Sequence, residues 1–158
     1  LLEAPRPLLM VLENLQDPGN LGTIVRTGEG AGVTGIIIGS GTADIYAPKT
    51  VRATMGSIYR VPVVCAEDLV EAVGRLRGGG VHTYAAHLQG KNYYDGFSFR
   101  EATAFLIGNE GAGLSPQLAE AAEGRVRIPM EGQLESMNAA VAASLLMYEA
   151  HRQRFALK

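Results

Sequence analysis

Residues 8–27 read Leu8-Leu-Met-Val-Leu-Glu-Asn-Leu-Gln-Asp-Pro-Gly-Asn-Leu-Gly-Thr-Ile-Val-Arg-Thr27, which is an apolar run, a polar turn and the start of a helix. The run Leu8–Leu12 has the length and composition of a strand that is buried on both faces. Pro18-Gly19 is typical of a type II turn, and Asn20 is placed to cap a helix over about residues 21–31. A strand followed by a helix is the repeating unit of α/β proteins.

The same alternation continues along the chain. Apolar runs predict further strands at residues 36–38, 61–64, 81–86 and 104–107, and helical segments are predicted at 48–55, 66–77, 116–122 and about 136–155. Because the strand candidates are apolar throughout, they indicate a mostly parallel sheet flanked by helices on both faces. A chain of 158 residues that is 47% hydrophobic has the size and composition of one globular domain.

Composition excludes several function classes. No apolar run is long enough to span a bilayer, and residues 1–9 lack the apolar centre of a secretory signal. The single cysteine, Cys65, cannot form an internal disulfide; we expect it buried in a strand, in a protein of the reducing cytoplasm. The histidines show no metal-ligand spacing, so no metal is expected. A net charge of −2 does not indicate a nucleic-acid binder, although a local basic patch or a separate domain could supply phosphate contacts.

Two segments could carry chemistry after strands. In the first, Asn20 and Arg26 follow the strand at 8–12, where open α/β sheets bind ligands; alone, they equally fit a helix cap and a solvated arginine. In the second, the strand at 104–107 runs into Gly108, Gly111 and Gly113, which permit close approach by a ligand. This glycine-rich loop lacks the Lys of a P-loop and alone fits a plain turn. The pattern Gly30-Ala-Gly-Val-Thr-Gly35 follows a helix and precedes a strand, so it is not a dinucleotide fingerprint.

A third segment begins the final helix. Ser136 is a candidate N-cap, and Met137, Val141, Leu145 and Tyr148 share one face. A core helix would explain that face, but not why polar side chains crowd the start of the helix, namely Glu135, Ser136 and Asn138. His87 follows a strand and could line a pocket, although packing or surface exposure is the favoured interpretation.

Taken together and in this order, the three segments resemble the SpoU/TrmH branch of the SPOUT methyltransferases. Residues 14–27, 107–114 and 128–149 look like the three motifs of that family, and residues 50–57 and 84–87 resemble further family segments. The resemblance covers nearly the whole chain. Departures are modest: Gly28 and Gly30 stand where alanine is usual, and Met137 stands where leucine is common.

The resemblance implies an enzyme that transfers a methyl group from S-adenosylmethionine to a ribose 2′-hydroxyl of RNA. Ribosomal RNA is the first expectation for the substrate and transfer RNA the second. The resemblance also implies a homodimer and a C-terminal trefoil knot that holds the cofactor. Residues 1–158 are then one methyltransferase domain, and we expect any N-terminal RNA-binding domain or extension to lie outside this chain.

The family's site residues transfer to matching positions. The resemblance implies catalytic roles for Asn20, Arg26, Glu110, Ser136 and Asn138, and cofactor contacts for Ala85, Gly108, Asn109, Ile128, Met130 and Met137. It also implies that Arg26 reaches the partner subunit's cofactor. Because arginine stays protonated, Arg26 is expected to fix a phosphate or stabilise an oxyanion rather than act as a base. Glu110 could balance charge or assist proton removal.

Two other functions are considered. A catalytically inactive module of the same fold would bind cofactor or RNA without catalysis, and the complete polar set Asn20, Arg26, Ser136 and Asn138 argues against it. A relative that methylates a base is less favoured, because the combination of Asn20 and Arg26 with Ser136-Met137-Asn138 is typical of the ribose branch.

Overall fold

The computed structural model describes residues 1–88, 90 and 92–155, and strands alternate with helices along them. The strands are β1 (Leu8–Leu12), β2 (Gly35–Gly39), β3 (Val63–Ala66), β4 (His82–Ala86), β5 (Asn92–Tyr93), β6 (Thr103–Ile107) and β7 (Gly124–Arg127). The helices are α1 (Pro18–Ala31), α2 (Pro48–Thr54), α3 (Leu69–Gly78), α4 (Pro116–Ala121) and α5 (Ala139–Phe155). Short 3₁₀ turns lie at Ser57–Tyr59 and Tyr94–Gly96.

The described strands form one parallel sheet, as predicted, in the order β3-β2-β1-β6-β4-β7-β5. The last residue of β1, Leu12, pairs with Ile38 of β2 and with Ile107 of β6. Because the strands are parallel, the loops after β1, β4, β6 and β7 leave the same edge of the sheet. That edge is where α/β sheets bind ligands.

Both faces of the sheet are covered by helices. One core contains apolar side chains from α1 and α5, including Leu21, Ile24, Leu146 and Met147. The other contains side chains from α3 and α4, including Val73, Leu76 and Leu118. Among the described residues, no helix is long and apolar enough to cross a membrane. The trefoil knot implied by the resemblance stays a prediction.

A glycine allows α1 to lie close to α2. A Cβ on Gly22 would come within 2.6 Å of the Thr50 carbonyl oxygen in α2. Close packing therefore explains glycine at this helical position, despite its cost of about 1 kcal/mol relative to alanine. A Cβ on Gly28 would lie 3.3 Å from the Cβ of Val33 and at an ordinary 3.7 Å from the sulfur of Met147 in α5.

The start of α1 differs from the prediction. Pro18 is the first helical residue, and the Asp17 carboxylate caps the helix by accepting a hydrogen bond of 3.1 Å from the Gly19 amide. Proline favours this position because its missing N–H would have no helical partner there. The expected type II turn, with Gly19 at positive φ, is therefore wrong. Asn20 is not the cap but lies buried inside the helix.

The final helix begins three residues later than predicted. Its N-cap is Asn138 rather than Ser136: the Asn138 Oδ1 accepts hydrogen bonds from the amides of Ala140 (2.8 Å) and Val141 (3.2 Å). Val141, Leu145 and Tyr148 do share a face of α5, as predicted, but each is exposed in the single chain. The core is filled instead by another face of α5, with Ala143, Leu146 and Met147.

The C-terminal half of α5 is anchored to the protein. The guanidinium of Arg154 donates to the carbonyl oxygens of Phe99 (2.8 Å) and Arg6 (2.9 Å). Burial lowers the pKa of Arg154, with a further contribution from the neighbouring charge of Arg6. The side chain of Gln153 accepts from the Phe99 amide at 2.7 Å. These bonds fix the position of α5, whose N-cap is Asn138.

Sequence patterns misplaced or missed the outer strands. β3 begins at Val63, two residues later than predicted, and it forms an edge of the sheet. Cys65 on this edge strand is exposed, so its expected burial is wrong. Strands β5 and β7 were not predicted, because they are short and lack an apolar run. The glycine pattern at 30–35 runs from helix to strand, with Gly32 as the left-handed C-cap of α1, which confirms its rejection as a nucleotide fingerprint.

Candidate active site

A cavity of about 280 Å³ opens at the carboxyl edge of the sheet. Its walls come from the segments that follow β4, β6 and β7 and from the start of α5. They include residues 86–88 and 107–113, together with Val126, Arg127, Ile128, Met130, Glu135, Ser136, Met137, Ala139 and Ala142. The volume lies near the lower end of the roughly 300–1,000 Å³ that small-molecule sites occupy.

The glycine loop after β6 folds back on itself to form one wall. The backbones of Asn109 and Gly113 exchange hydrogen bonds of 3.1 and 2.9 Å. A Cβ on Gly108 would lie 2.2 Å from the backbone of Gly113 and Leu114, so only glycine permits this closure. Gly113 itself has φ +70, a conformation that favours glycine. The glycines therefore shape the loop, and the loop shapes the cavity.

The carboxylate of Glu110 joins this loop to the segment after β1. One oxygen, Oε1, accepts from the Asp17 amide at 3.0 Å and from the Asn20 side chain at 3.4 Å. The other, Oε2, accepts from the Gln16 amide at 3.3 Å. Glu110 thus ties the N-terminus of α1 to the wall of the cavity.

These hydrogen bonds also set the charge of Glu110. Partial burial alone would raise the pKa of the carboxyl group, but the hydrogen bonds from the Asp17, Glu110 and Gln16 amides and from Asn20 outweigh it and hold the pKa below its usual value. Glu110 is therefore ionised at neutral pH and a weak proton acceptor. Of the two roles expected for it, the geometry favours a fixed negative charge over assistance in proton removal.

Asn138 connects the third segment to the same network. Its Nδ2 donates to the Oδ1 of Asn20 at 3.1 Å, while its own Oδ1 caps α5. Because Asn20 in turn donates to Glu110, a chain of hydrogen bonds runs from α5 through α1 to the glycine loop. The three separate sequence segments therefore meet at one place in the fold.

Most of the predicted site residues lie at or beside the cavity. Seven of them line it: Gly108, Asn109, Glu110, Ile128, Met130, Ser136 and Met137. Asn20 and Asn138 lie behind that wall in the hydrogen-bonded chain. Ala85, expected at the cofactor, is instead completely buried in the core beneath α3 and α4, because side chains alternate along β4. The next residue, Ala86, lines the cavity.

Arg26 is not brought to this network within one chain. It follows Asn20 by six residues, which places it about 120° around α1. The side chain is exposed, and within the described part of the chain it makes no hydrogen bond or ion pair. Arg26 is not among the residues that line the cavity of its own chain.

Sequence reasoning missed several residues of the cavity wall. Arg127 lies in the unrecognised strand β7, and Glu135 was noted only as a polar residue before the final helix. His87 lines the cavity, which favours the pocket interpretation over plain packing. Burial, and secondarily the charge of Arg125, lowers the pKa of His87, so its imidazole is neutral at pH 7. The signal for His87 was its position directly after a strand.

The wall offers both signs of charge and apolar surface. Glu110 and Glu135 are acidic, Arg127 is basic, and Ile128 and Met137 are apolar. Such a cavity suits a small ligand that carries charged groups of both signs on an apolar body. Within the described ranges, His, Cys, Asp and Glu side chains form no group of three that could hold a metal ion.

Comparison with known proteins identifies relatives across nearly the whole chain. The model of the SpoU rRNA methylase family matches residues 7–148. The chain is 40% identical over 140 residues to the 23S rRNA (guanosine(2553)-2′-O)-methyltransferase RlmP of Bacillus subtilis, and the match covers 89% of this chain and 56% of the relative. The chain thus spans little more than half the length of that relative.

Solved structures give the same result. The SpoU methyltransferase AviRb from Streptomyces viridochromogenes, in complex with the cofactor AdoMet, superposes with a TM-score of 0.90 at 34% identity, covering 97% of this chain and 62% of AviRb. An AdoMet-bound rRNA methyltransferase from Sinorhizobium meliloti superposes with a TM-score of 0.86 at 38% identity, covering 92% of this chain and 56% of that protein.

Proposed function

The chain belongs to the SpoU rRNA methylase family, and on that premise we propose that it transfers a methyl group from S-adenosylmethionine to a ribose 2′-hydroxyl of RNA. The observation that carries the proposal is the hydrogen-bonded chain Asn138–Asn20–Glu110 against the wall of the cavity. Ribosomal RNA is the first candidate substrate, because the Bacillus relative is named as a 23S rRNA 2′-O-methyltransferase. Transfer RNA is the second. The enzyme would act in the cytoplasm.

The cavity fits the proposed cofactor. S-adenosylmethionine carries a cationic sulfonium and ammonium, a carboxylate and a flat adenine. Acidic Glu110 and Glu135, basic Arg127 and apolar Ile128 and Met137 provide matching chemistry in one wall. When bound, the cofactor supplies an electrophilic methyl group. The residues that would hold it are those of the loop at 108–113, with Ile128, Met130, Ser136 and Met137.

Catalysis then depends on holding the ribose and stabilising charge. The 2′-oxygen gives up its proton to water as its bond to the methyl carbon forms, and the carbon–sulfur bond breaks in line with its electron pair staying on sulfur. Arg26 remains protonated, and Glu110 has a lowered pKa, so neither is suited to be the base. We assign Arg26 to fixing a phosphate or the developing oxyanion. Asn20, Asn138 and Ser136 orient the ribose and the groups around it.

The proposed active unit is a homodimer. In a single chain Arg26 is exposed and does not line the cavity, and we assign it to the cavity of a second copy. Val141, Leu145 and Tyr148 form an exposed apolar stripe on α5, and such a stripe on a helix indicates a protein interface. Because α5 packs against α1, pairing through this stripe would bring the Arg26 helix of each copy toward the other.

The proposal is tested by incubating the chain with S-adenosylmethionine and unmodified transcripts of 23S rRNA or tRNA, then digesting the RNA to nucleosides for mass spectrometry. We expect a 2′-O-methylated nucleoside, lost in Arg26→Ala and kept in Arg75→Gln, which removes an exposed arginine from α3. A base-methylated product would show a base methyltransferase. Cofactor binding without any methylated nucleoside would show the inactive binding module.

A further inference from the structure

The exposed side of α2 and the residues next to it form a surface that the proposed chemistry does not use. We call Tyr46, Lys49, Arg52, Met55 and Tyr59 the α2 surface. The two tyrosines are 75% and 84% exposed, and Met55 is 68% exposed. Large apolar side chains scattered over a surface need no explanation, but two tyrosines this exposed beside two cations are a combination typical of single-stranded nucleic-acid binding.

The tyrosines are presented by anchored backbone. Ile45, directly before Tyr46, is buried in the core, and the Tyr46 amide donates to the Asp44 carboxylate at 2.9 Å. Ser57 is buried and donates to the Glu29 carboxylate, two residues before Tyr59. Both rings therefore project from fixed positions, which lowers the entropy lost when a base stacks on them.

Met55 adds a second sign that this surface is specialised. It ends α2 in the left-handed region, with φ 49. A residue with a Cβ is rarely found there, because its Cβ comes too close to the following carbonyl oxygen. Such strain is retained where the surrounding structure or a function requires it.

The α2 surface is continuous with the candidate active site. The Nζ of Lys49 lies 3.6 Å from the carboxylate of Asp17, the cap of α1. The amide of Asp17 in turn donates to Glu110 at the cavity wall. Arg52 is one helical turn beyond Lys49, so both cations lie on one side of α2. A strand that left the cavity along this direction would meet Lys49 first.

The charge of this surface distinguishes it from the exposed face of α5. The Arg52 side chain makes no hydrogen bond or ion pair with any described residue, and Lys49 pairs with Asp17 at 3.6 Å. Two exposed cations stand here on a chain whose net charge is −2. The α5 stripe, by contrast, is apolar, as expected where two copies of the chain meet.

We propose that the α2 surface binds single-stranded RNA next to the target nucleotide, with bases stacked on Tyr46 and Tyr59 and phosphates at Lys49 and Arg52. This inference rests on the proposed function, because it places the substrate of that site. Single-stranded rather than duplex RNA is specified, since only unstacked bases can stack on a protein ring.

The test measures binding of a fluorescein-labelled single-stranded RNA of mixed sequence to the 158-residue chain by anisotropy, at several salt concentrations. We expect the double variant Tyr46→Ala/Tyr59→Ala to bind about tenfold or more weakly, given the usual contribution of a stacked base. The matched double variant Tyr46→Phe/Tyr59→Phe keeps both rings and should bind as the wild type does. Arg52→Gln should reduce the slope of log K against log salt by about 0.7, whereas Arg75→Gln on the opposite face of the sheet should not.

Two further readouts on the same variants separate the possible outcomes. Unchanged RNA affinity in the alanine double variant, or no RNA binding by the wild type, would overturn the inference. Loss of dimer mass in sedimentation with unchanged RNA affinity would assign the surface to a contact between copies and also overturn it. If the variants lose RNA affinity as expected but the wild type binds no S-adenosylmethionine in calorimetry, RNA binding by the α2 surface is supported and the proposed function fails.

Discussion

At the scale of single residues, Glu110 is the group on which the segments after β1 and β6 converge. Its carboxylate accepts hydrogen bonds from Asp17, Gln16 and Asn20, and these bonds favour the ionised form. A motif comparison alone assigns Glu110 to the active site without saying what it does. Its partners indicate that it holds the N-terminus of α1 against the cavity wall.

Glu110→Gln tests that role. The variant leaves donors without a full set of acceptors and should lower the free energy of unfolding by about 1–3 kcal/mol at neutral pH. The folded-state pKa lies below the unfolded value, so the stabilisation is complete above about pH 4.5 and is lost as the pH falls toward the folded pKa. In urea unfolding, the difference in free energy of unfolding between wild type and variant should therefore be smaller at about pH 3.5 than at about pH 7.

A control keeps this result specific to Glu110. Glu120→Gln neutralises an exposed carboxylate on α4 and should change the free energy of unfolding little at either pH. If the difference in free energy of unfolding between wild type and Glu110→Gln stayed constant with pH, the hydrogen bonds of Glu110 would not depend on its ionisation.

At the scale of secondary-structure elements, the position of α1 depends on glycines. Gly22→Ala would place a Cβ 2.5 Å from the Cβ of Ala53 and 2.6 Å from a backbone oxygen of α2, so one helix must move. We expect a loss of about 1–3 kcal/mol in the free energy of unfolding. Gly74→Ala in α3 meets no atom within 4 Å and should stabilise the protein by about 0.5–1 kcal/mol. Chemical denaturation of both variants measures the contrast; equal effects would contradict the packing account.

The elements also show what could be predicted from sequence. Both ends of β1 (Leu8–Leu12) were predicted correctly, because a central strand that is buried on both faces has a continuous apolar run. β7 was missed because Gly124–Arg127 is half polar and is recognisable only by its pairing with β4. The capping of α1 was misassigned because Asp17 and Asn20 are both good caps, although Pro18 favours the first helical position and so indicates Asp17 as the cap.

The family motifs indicated more of the candidate site than the periodicity of apolar residues did. Gly108, Asn109, Ile128, Met130 and Met137, for which the resemblance implies cofactor contacts, line the cavity, and periodicity alone indicated none of them. Their contact with the cofactor stays a prediction. Their convergence depends on strand order: β6 lies between β1 and β4, and β7 lies beside β4. Local sequence carries no direct signal for that order, since it is decided by long-range pairing.

At the scale of the whole molecule, the position of Arg26 makes a prediction about assembly. If Arg26 acts on the partner's cavity, Arg26→Ala and Asn138→Ala should each be inactive alone. After unfolding and refolding together, half of the dimers are mixed and each has one intact site, so activity should return to about a quarter of the wild-type rate. The measurement is methyl transfer to RNA before and after co-refolding. No recovery, with mixed dimers present, would place Arg26 at the site of its own chain.

The central claim is that the cavity at the carboxyl edge of the sheet binds S-adenosylmethionine, and calorimetric titration of the purified chain tests it most directly. We predict one site per chain. Binding should be lost in Gly108→Ala, whose Cβ would lie 2.2 Å from the returning loop. It should be kept in Gly74→Ala, which lies on α3 outside the cavity and whose Cβ would meet no atom within 4 Å. A folded wild-type chain that releases no heat of binding, or a Gly108→Ala variant that binds as the wild type does, would contradict the account.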